Sequence, residues 1–352
     1  MTAPRLPASA NEIDASWLAQ ATGLRVREAR LERFAVGIGV ASALYRARLE
    51  GEGCPPSVVV KLPALDEAAR FTSTVLQMYR REVGFFTALR HMCPVRTPRC
   101  WYGDVDDAGA GFVLVLEDLD GMRVVDQNAG MTPDDAGRAV DGLAAMQARW
   151  WGEGEALAAA GTTISLGDPI YPAILPTVFR EGWDKVTGEM TLPASILAIG
   201  PRFPDAVAPL LASLVHGPQT LAHGDYRADN LLFGPDDELA VLDFQLIGSG
   251  TGAYDLAYLV TQSLDADVAS RMERELFARW MDGLRAGGVS RDALDERALW
   301  GHYRTAALFC LAYPVVASRG MDLADPRQRA LVGHMSTRFD RAVTELRLAD
   351  LL

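Results

Sequence analysis

Three side chains between Leu221 and Tyr258 have the types and spacing for chemistry: Asp225, Asn230 and Asp243, in LAHGDYRADNLLFGPDDELAVLDFQLIGSGTGAYDLAY. His223-Gly224-Asp225 is followed five residues after the Asp by Asn230. A short apolar run (Leu231-Leu232-Phe233), a polar turn from Gly234 to Glu238 and a second apolar run then deliver Asp243-Phe244. The pattern predicts a loop carrying an Asp and an Asn, a tight hairpin, and a strand ending in another carboxylate. Asn230 and Asp243, brought together by that hairpin, can share one Mg²⁺, a hard cation that takes oxygen donors. Asp225 is left to act on a hydroxyl group. H-x-D-x-x-x-x-N followed by D-F is the layout of a kinase catalytic loop and metal site.

Such chemistry also needs a cation and a backbone cradle for the phosphates, and both have candidates upstream. Gly37-Ile38-Gly39-Val40-Ala41-Ser42 lies between two predicted strands, the first over 24–34 and the second ending near Glu50. Two glycines and small residues let main-chain amides approach phosphate oxygens. The third glycine of a full G-x-G-x-x-G is absent, with Ser42 in its place, and the same residues suit an ordinary hairpin turn. Ser57–Pro63, SVVVKLP, predicts a β-branched strand with one charge, Lys61. That lysine either occupies an exposed edge or holds the α- and β-phosphates of a nucleotide. From Asp66 to His91 a helical segment with at most one break places Leu76, Tyr79, Val83, Phe86 and Leu89 on a buried face. Glu82 adjoins that face, either as a solvated acid or as the partner that fixes Lys61.

Val95–Asp104 and Phe112–Leu116 read as two more strands and complete a five-stranded sheet. The chain leaves it at Glu117-Asp118-Leu119, which is either a simple linker or a place where main-chain groups receive adenine. Helices are predicted over 133–151, opened by Thr132 and Pro133, and over 174–186, 206–216, 254–263, 266–286, 292–317 and 326–350. The plan is α+β: an N-terminal β-rich domain of residues 1–118, with an antiparallel sheet and a helix, and a mainly helical domain of residues 119–352. Trp150, Trp151, Trp183 and Tyr226 are candidates to line a substrate cleft or to pack a core.

The charge is unevenly placed. Residues 1–100 carry a net +5, residues 101–264 a net −17, and the remainder balances, for −12 over 352 residues. An acidic segment around the candidate loop disfavours nucleic acid as a partner. It suits a cationic substrate, or simply solubility and a metal site. The N-terminus has early acids and no apolar run, unlike a signal peptide. Ala306–Ala317 is too short to cross a bilayer, which takes about 20 residues. A cytoplasmic protein without membrane contact is expected. The cysteines Cys54, Cys93, Cys100 and Cys310 form no C-x-x-C pair and read as reduced thiols.

HGDYRADNLLF, VLDF and GAYDLAYL, with VVVKLP, Glu82 and LVLEDL, together resemble the aminoglycoside phosphotransferase and choline kinase-like superfamily of small-molecule kinases. The resemblance runs from about Val36 to Leu259. It looks nearest to bacterial phosphotransferases of unassigned substrate and ecdysteroid kinase-like proteins. It implies a bilobal protein kinase-like fold and an ATP- and Mg²⁺-dependent transfer to a small-molecule alcohol. Carried over by position, it implies that Asp225 accepts or orients the proton of the acceptor hydroxyl. Asn230 and Asp243 would bind Mg²⁺, and Lys61, fixed by Glu82, would contact the phosphates. Gly39 to Ser42 would cover the phosphates, and the main chain of Glu117 to Leu119 would receive adenine. His223 and Asp255 read as braces of the loop. Gln245 departs from the Gly of D-F-G, which with the missing A-P-E segment argues against a protein kinase. A nucleotide-binding pseudokinase is the alternative. A hydrolase built on His223, Asp225 and Asp243 lacks further ligands in a chain with five histidines.

Overall fold

The computed structural model describes residues 4–34 and 41–352. The chain forms two compact units. One comprises Met1–Met122 with Leu242–Leu246, the other Arg123–Val241 with Ile247–Leu352.

In the first unit, helix α1 (Ala15–Thr22) starts on Asp14, whose carboxylate accepts the Trp17 N–H, and stops at Gly23 in the left-handed region. Strands β1 (Arg25–Phe34), β2 (Ser42–Glu52), β3 (Ser57–Pro63), β4 (Cys100–Val105) and β5 (Phe112–Glu117) form the expected antiparallel sheet. Their order is β1-β2-β3-β5-β4. Val58, Val60 and Leu62 alternate onto one face and pack with Val113, Val115 and with Ile13 and Leu18 at α1. The same period of two sends Lys61 to the other face. β4 begins at Cys100, later than expected, because Pro94 and Pro98 precede it and cannot donate to a ladder.

The segment 66–91 does break once. Helices α2 (Glu67–Val75) and α3 (Met78–Gly84) meet at Gln77, whose φ is 52°. Thr72, Ser73 and Thr74 each donate to the carbonyl four residues back, a bond that competes with helix continuation. α3 then runs into a π-helical turn over Phe85–Leu89.

The second unit is mainly helical. It opens with the short strand β6 (Arg123–Val124), helix α4 (Pro133–Arg149), helix α5 (Gly154–Ala159) and strand β7 (Ile164–Ser165). Helices α6 (Ile170–Glu189), α7 (Ala194–Ile199) and α8 (Phe203–Leu214) follow. Strands β8 (Thr220–Ala222), β9 (Leu231–Phe233), β10 (Leu239–Val241) and β11 (Gly248–Gly250) surround the candidate loop. The chain ends in α9 (Ala253–Ser263), α10 (Ala266–Ala286), α11 (Glu296–Phe309), α12 (Ala312–Ser318) and α13 (Pro326–Glu345). The segment 292–317 is thus two helices rather than one, divided just before Pro314, which lacks the N–H a continuous helix would use. α6 approaches α12 so closely that a Cβ at Gly182 would lie 2.1 Å from the Val315 carbonyl oxygen. Only glycine fits there.

β9 and β10 pair antiparallel, Leu231 opposite Val241, so the predicted hairpin carries the chain from Asn230 towards Asp243. Among the described residues no helix is long and apolar enough to cross a membrane.

Candidate active site

The position of Lys61 removes one of its two readings. β3 is the central strand of its sheet, so the lysine cannot be an edge charge. Its side chain is 8% exposed, and Nζ lies 2.6 Å from Glu82 Oε1 and 3.0 Å from Asp243 Oδ1. Burial works against the ammonium, but the charges of Asp243 and Glu82 outweigh it and hold its pKa above the ordinary lysine value. Glu82, fully buried on α3, is pushed up to about 7 by burial, against the pull of Lys61.

Asp243 reaches this contact through an uncommon backbone conformation, φ 62°, which an L residue adopts only at some cost. The residue after it explains how the conformation is held. Phe244 is fully buried and stacks on Phe85, with ring centroids 3.5 Å apart and planes 5° apart, and meets Phe86 edge-on. The aromatic clamp pins 242–246 to the π turn that follows α3, and Asp243 is delivered beside Lys61. Gln245, the departure noted in the sequence, donates from Nε2 to Asp243 Oδ2 at 3.3 Å.

Asp225 and Asn230 lie in the second unit, on the loop between β8 and β9. Asn230 Nδ2 donates to the Asp225 carbonyl at 2.8 Å and to its Oδ2 at 2.9 Å. This fixes the amide so that its Oδ1 remains an acceptor directed elsewhere. Arg227 Nε pairs with Asp225 Oδ1 at 3.2 Å, and its Nη1 with Asp229 at 2.9 Å. The loop is gripped from below by α9. Asp255 accepts the His223 N–H on Oδ2 and the Gly224 N–H on Oδ1. Gln147 of α4 donates to the same Asp255 Oδ2 and to the Gly252 carbonyl. His223, wholly buried, accepts the Asp225 N–H on Nδ1. Both residues brace the loop in this geometry.

The remaining candidates are placed as follows. Gly39 lies outside the described residues, while Ser42 opens β2 with a buried Oγ that has no partner among them. Glu117 ends β5; its N–H donates to the Arg99 carbonyl, and its carboxylate accepts from Arg96 and the Arg99 N–H. The Leu119 carbonyl accepts the Met122 N–H. A cavity of about 470 Å³ opens beside Glu117, Asp118 and Gly121, walled by Ser57, Arg99 and Trp101. Trp150 and Tyr226 are fully buried, the Tyr226 hydroxyl donating to the Ala139 carbonyl, so both belong to a core rather than to a cleft wall. Trp183 is half-buried, stacks on Phe179 and covers Gly200. Trp151 is half-buried near Trp280.

Sequence reasoning missed Arg46, which holds the buried Asp118 carboxylate from Nε and Nη2 together with the Ser57 hydroxyl. It also passed over Arg227, although it stands inside the quoted motif, two residues after Asp225.

A sequence model of the phosphotransferase enzyme family (APH) matches residues 35–300, well over half of the chain. The chain belongs to this family. It is therefore a phosphotransferase. No curated protein sequence matches it. Solved structures show the same fold for this phosphotransferase as for aminoglycoside 2'-phosphotransferase-IIIa. The GDP complex of that enzyme is 14% identical, covers 92% of this chain and 95% of that one, and has a TM-score of 0.56. Its complex with GDP and kanamycin is 14% identical over 93% and 97%, also with a TM-score of 0.56. Ethanolamine kinase from Plasmodium vivax is 9% identical over 92% of this chain and 83% of its own, with a TM-score of 0.52. At these identities the likeness is one of fold, and it agrees with the α+β class read from the sequence.

Proposed function

We propose that this phosphotransferase moves the γ-phosphoryl group of ATP to a hydroxyl of a small-molecule alcohol, with Asp225 as base and Mg²⁺ on Asn230 and Asp243. The observation that carries the reading is a lysine buried on a central strand between two carboxylates. A fold has little to gain from that arrangement, since buried ion pairs contribute little net stability. A phosphate-binding cation needs it, because the carboxylates keep the ammonium charged and aimed.

The donor set fits the metal. Asn230 offers one neutral oxygen, and Asp243 offers a carboxylate whose side chain stays 26% exposed. Two protein oxygens leave coordination places for phosphate oxygens and water, the usual arrangement for Mg²⁺. When bound, the ion neutralises charge on the β- and γ-phosphates. The protein supplies the rest. Lys61 holds the α- and β-phosphates, Gly39 and Ser42 cover them, and the main chain from Glu117 to Leu119 takes the adenine. Asp225 accepts the proton of the acceptor hydroxyl as its oxygen bonds to the γ-phosphorus. The bond from that phosphorus to the bridging oxygen breaks, and ADP leaves with the electron pair.

An ADP-release screen over a chemically diverse alcohol panel tests this, run with ATP and GTP, with Mg²⁺ and with EDTA, and with Asp225→Ala as background. The expected result is Mg²⁺-dependent release with at least one alcohol, lost in Asp225→Ala while the melting temperature holds. Full activity in Asp225→Ala would remove the base. ATP binding without turnover across the panel would favour the pseudokinase.

A further inference from the structure

Strand β5 ends at Glu117, and the residue after it is held by its side chain rather than by a ladder. The Asp118 carboxylate is 4% exposed. Its Oδ2 accepts from Arg46 Nε at 2.6 Å and from the Ser57 hydroxyl at 2.7 Å, and its Oδ1 accepts from Arg46 Nη2 at 3.1 Å. A guanidinium fork on both oxygens fixes direction as well as distance. The guanidinium is itself set from two sides. The Phe34 ring lies 5.1 Å from its Cζ, and the Asp120 carboxylate 3.0 Å from Nη2.

The sheet decides where this grip acts. Arg46 stands opposite Val59 in the β2–β3 register, and the period of two puts Ser57, Val59 and Lys61 on one face. Asp118 is therefore held on the face that carries Lys61, about 13 Å along β3 from the lysine. A nucleotide extended along that face, phosphates on Lys61, brings its base to the far end. There, two main-chain groups are already engaged within the unit: the Glu117 N–H with the Arg99 carbonyl, and the Leu119 C=O with the Met122 N–H. What a base reads between Glu117 and Leu119 must then come from the Glu117 C=O, the N–H and C=O of Asp118, and the Leu119 N–H. Those four groups are the two peptides that meet at the Asp118 Cα. Whatever fixes Asp118 fixes both.

We propose that Arg46 is a positioning residue for nucleotide recognition: through Asp118 it orients the two peptides that read the base, and so selects adenine over guanine. The inference rests on the reading that the main chain from Glu117 to Leu119 takes the adenine. At position 6 adenine presents an N–H donor where guanine presents a carbonyl acceptor. A main chain held in one orientation pairs with the first and leaves the second facing a like group, whereas a main chain free to turn accepts either.

Titration calorimetry with Mg²⁺–ATP and with Mg²⁺–GTP tests it and needs no acceptor. The wild type is expected to bind ATP more tightly than GTP. Arg46→Ala should weaken ATP binding about tenfold, the scale of one lost hydrogen bond to a charged group, and GTP binding much less, so that the preference narrows. Arg46→Lys keeps the charge but not the fork and should resemble Arg46→Ala. Asp118→Asn keeps the shape of the side chain without leaving a buried charge unpaired. It should narrow the preference in the same direction, and it carries the test if Arg46→Ala fails to fold. Wild-type affinity for ATP in Arg46→Ala, full recovery in Arg46→Lys, or loss of ATP and GTP by the same factor overturns the proposal, since a merely structural pair would loosen both nucleotides alike. If the wild type binds neither nucleotide, or prefers GTP, the ATP reading falls and takes this proposal with it. A preference for ATP that survives unchanged in Arg46→Ala overturns this proposal alone.

Discussion

Burial alone would strip the charge from both Lys61 and Glu82. For the lysine, two carboxylates reverse that effect. For Glu82, one ammonium does not, and its pKa rises to about 7. The direction sets two consequences. Between the ordinary carboxylate range and about 7, the folded protein keeps a proton that the unfolded chain has released. Glu82 therefore makes stability fall as pH rises through that window and level off above it. The second concerns binding. Below about 7 a neutral Glu82 pulls less on Lys61, which moves towards Asp243 and competes for the proposed metal oxygen. The KM for ATP is expected to rise as pH falls from 8 to 6. Glu82→Gln should show a KM about tenfold above wild type at pH 8, the scale of one charge-assisted hydrogen bond, and little dependence on pH; steady-state kinetics across that range checks both. Lys61, Glu82 and Asp243 were legible because each breaks a local pattern: a charge in an apolar run, an acid beside a buried face, a carboxylate closing a strand. Arg227 was not, since a loop has no periodicity to show which way a side chain turns.

Among the elements, the stretch with the heaviest duty relative to its length is 242–246. Phe244 fills a site formed by Phe85 and Phe86 and is wholly inaccessible to water. Phe244→Ala should lower stability by about 3–5 kcal/mol, as expected when a large core ring leaves a cavity. It should also weaken ATP binding, because Asp243 loses the anchor that holds it at φ 62°. Urea unfolding reads the first effect and nucleotide titration the second; Phe244→Leu should recover most of both. Strand β3 and helix α10 were readable from β-branched composition and from period. The short strands β6, β7, β8 and β11 were not, since two or three residues carry no pattern. The break at Gln77 was foreseen as a break, but the π turn after α3 leaves no mark in residue type.

At the scale of the whole molecule, the first unit is not continuous in sequence. Five residues from the middle of the other unit's sequence complete it. A fragment of residues 1–122 would lack the Phe244 ring and the second carboxylate of Lys61, leaving an open aromatic seat. Such a fragment should show no cooperative thermal transition alone and should gain one when residues 240–248 are joined to its end through a flexible linker; circular dichroism melts of both fragments distinguish the outcomes. In sequence, the two units of this phosphotransferase interleave rather than follow one another. A single crossover between genes therefore could not hand the first unit to a new partner intact. The donor would have to pass on the short stitch as well.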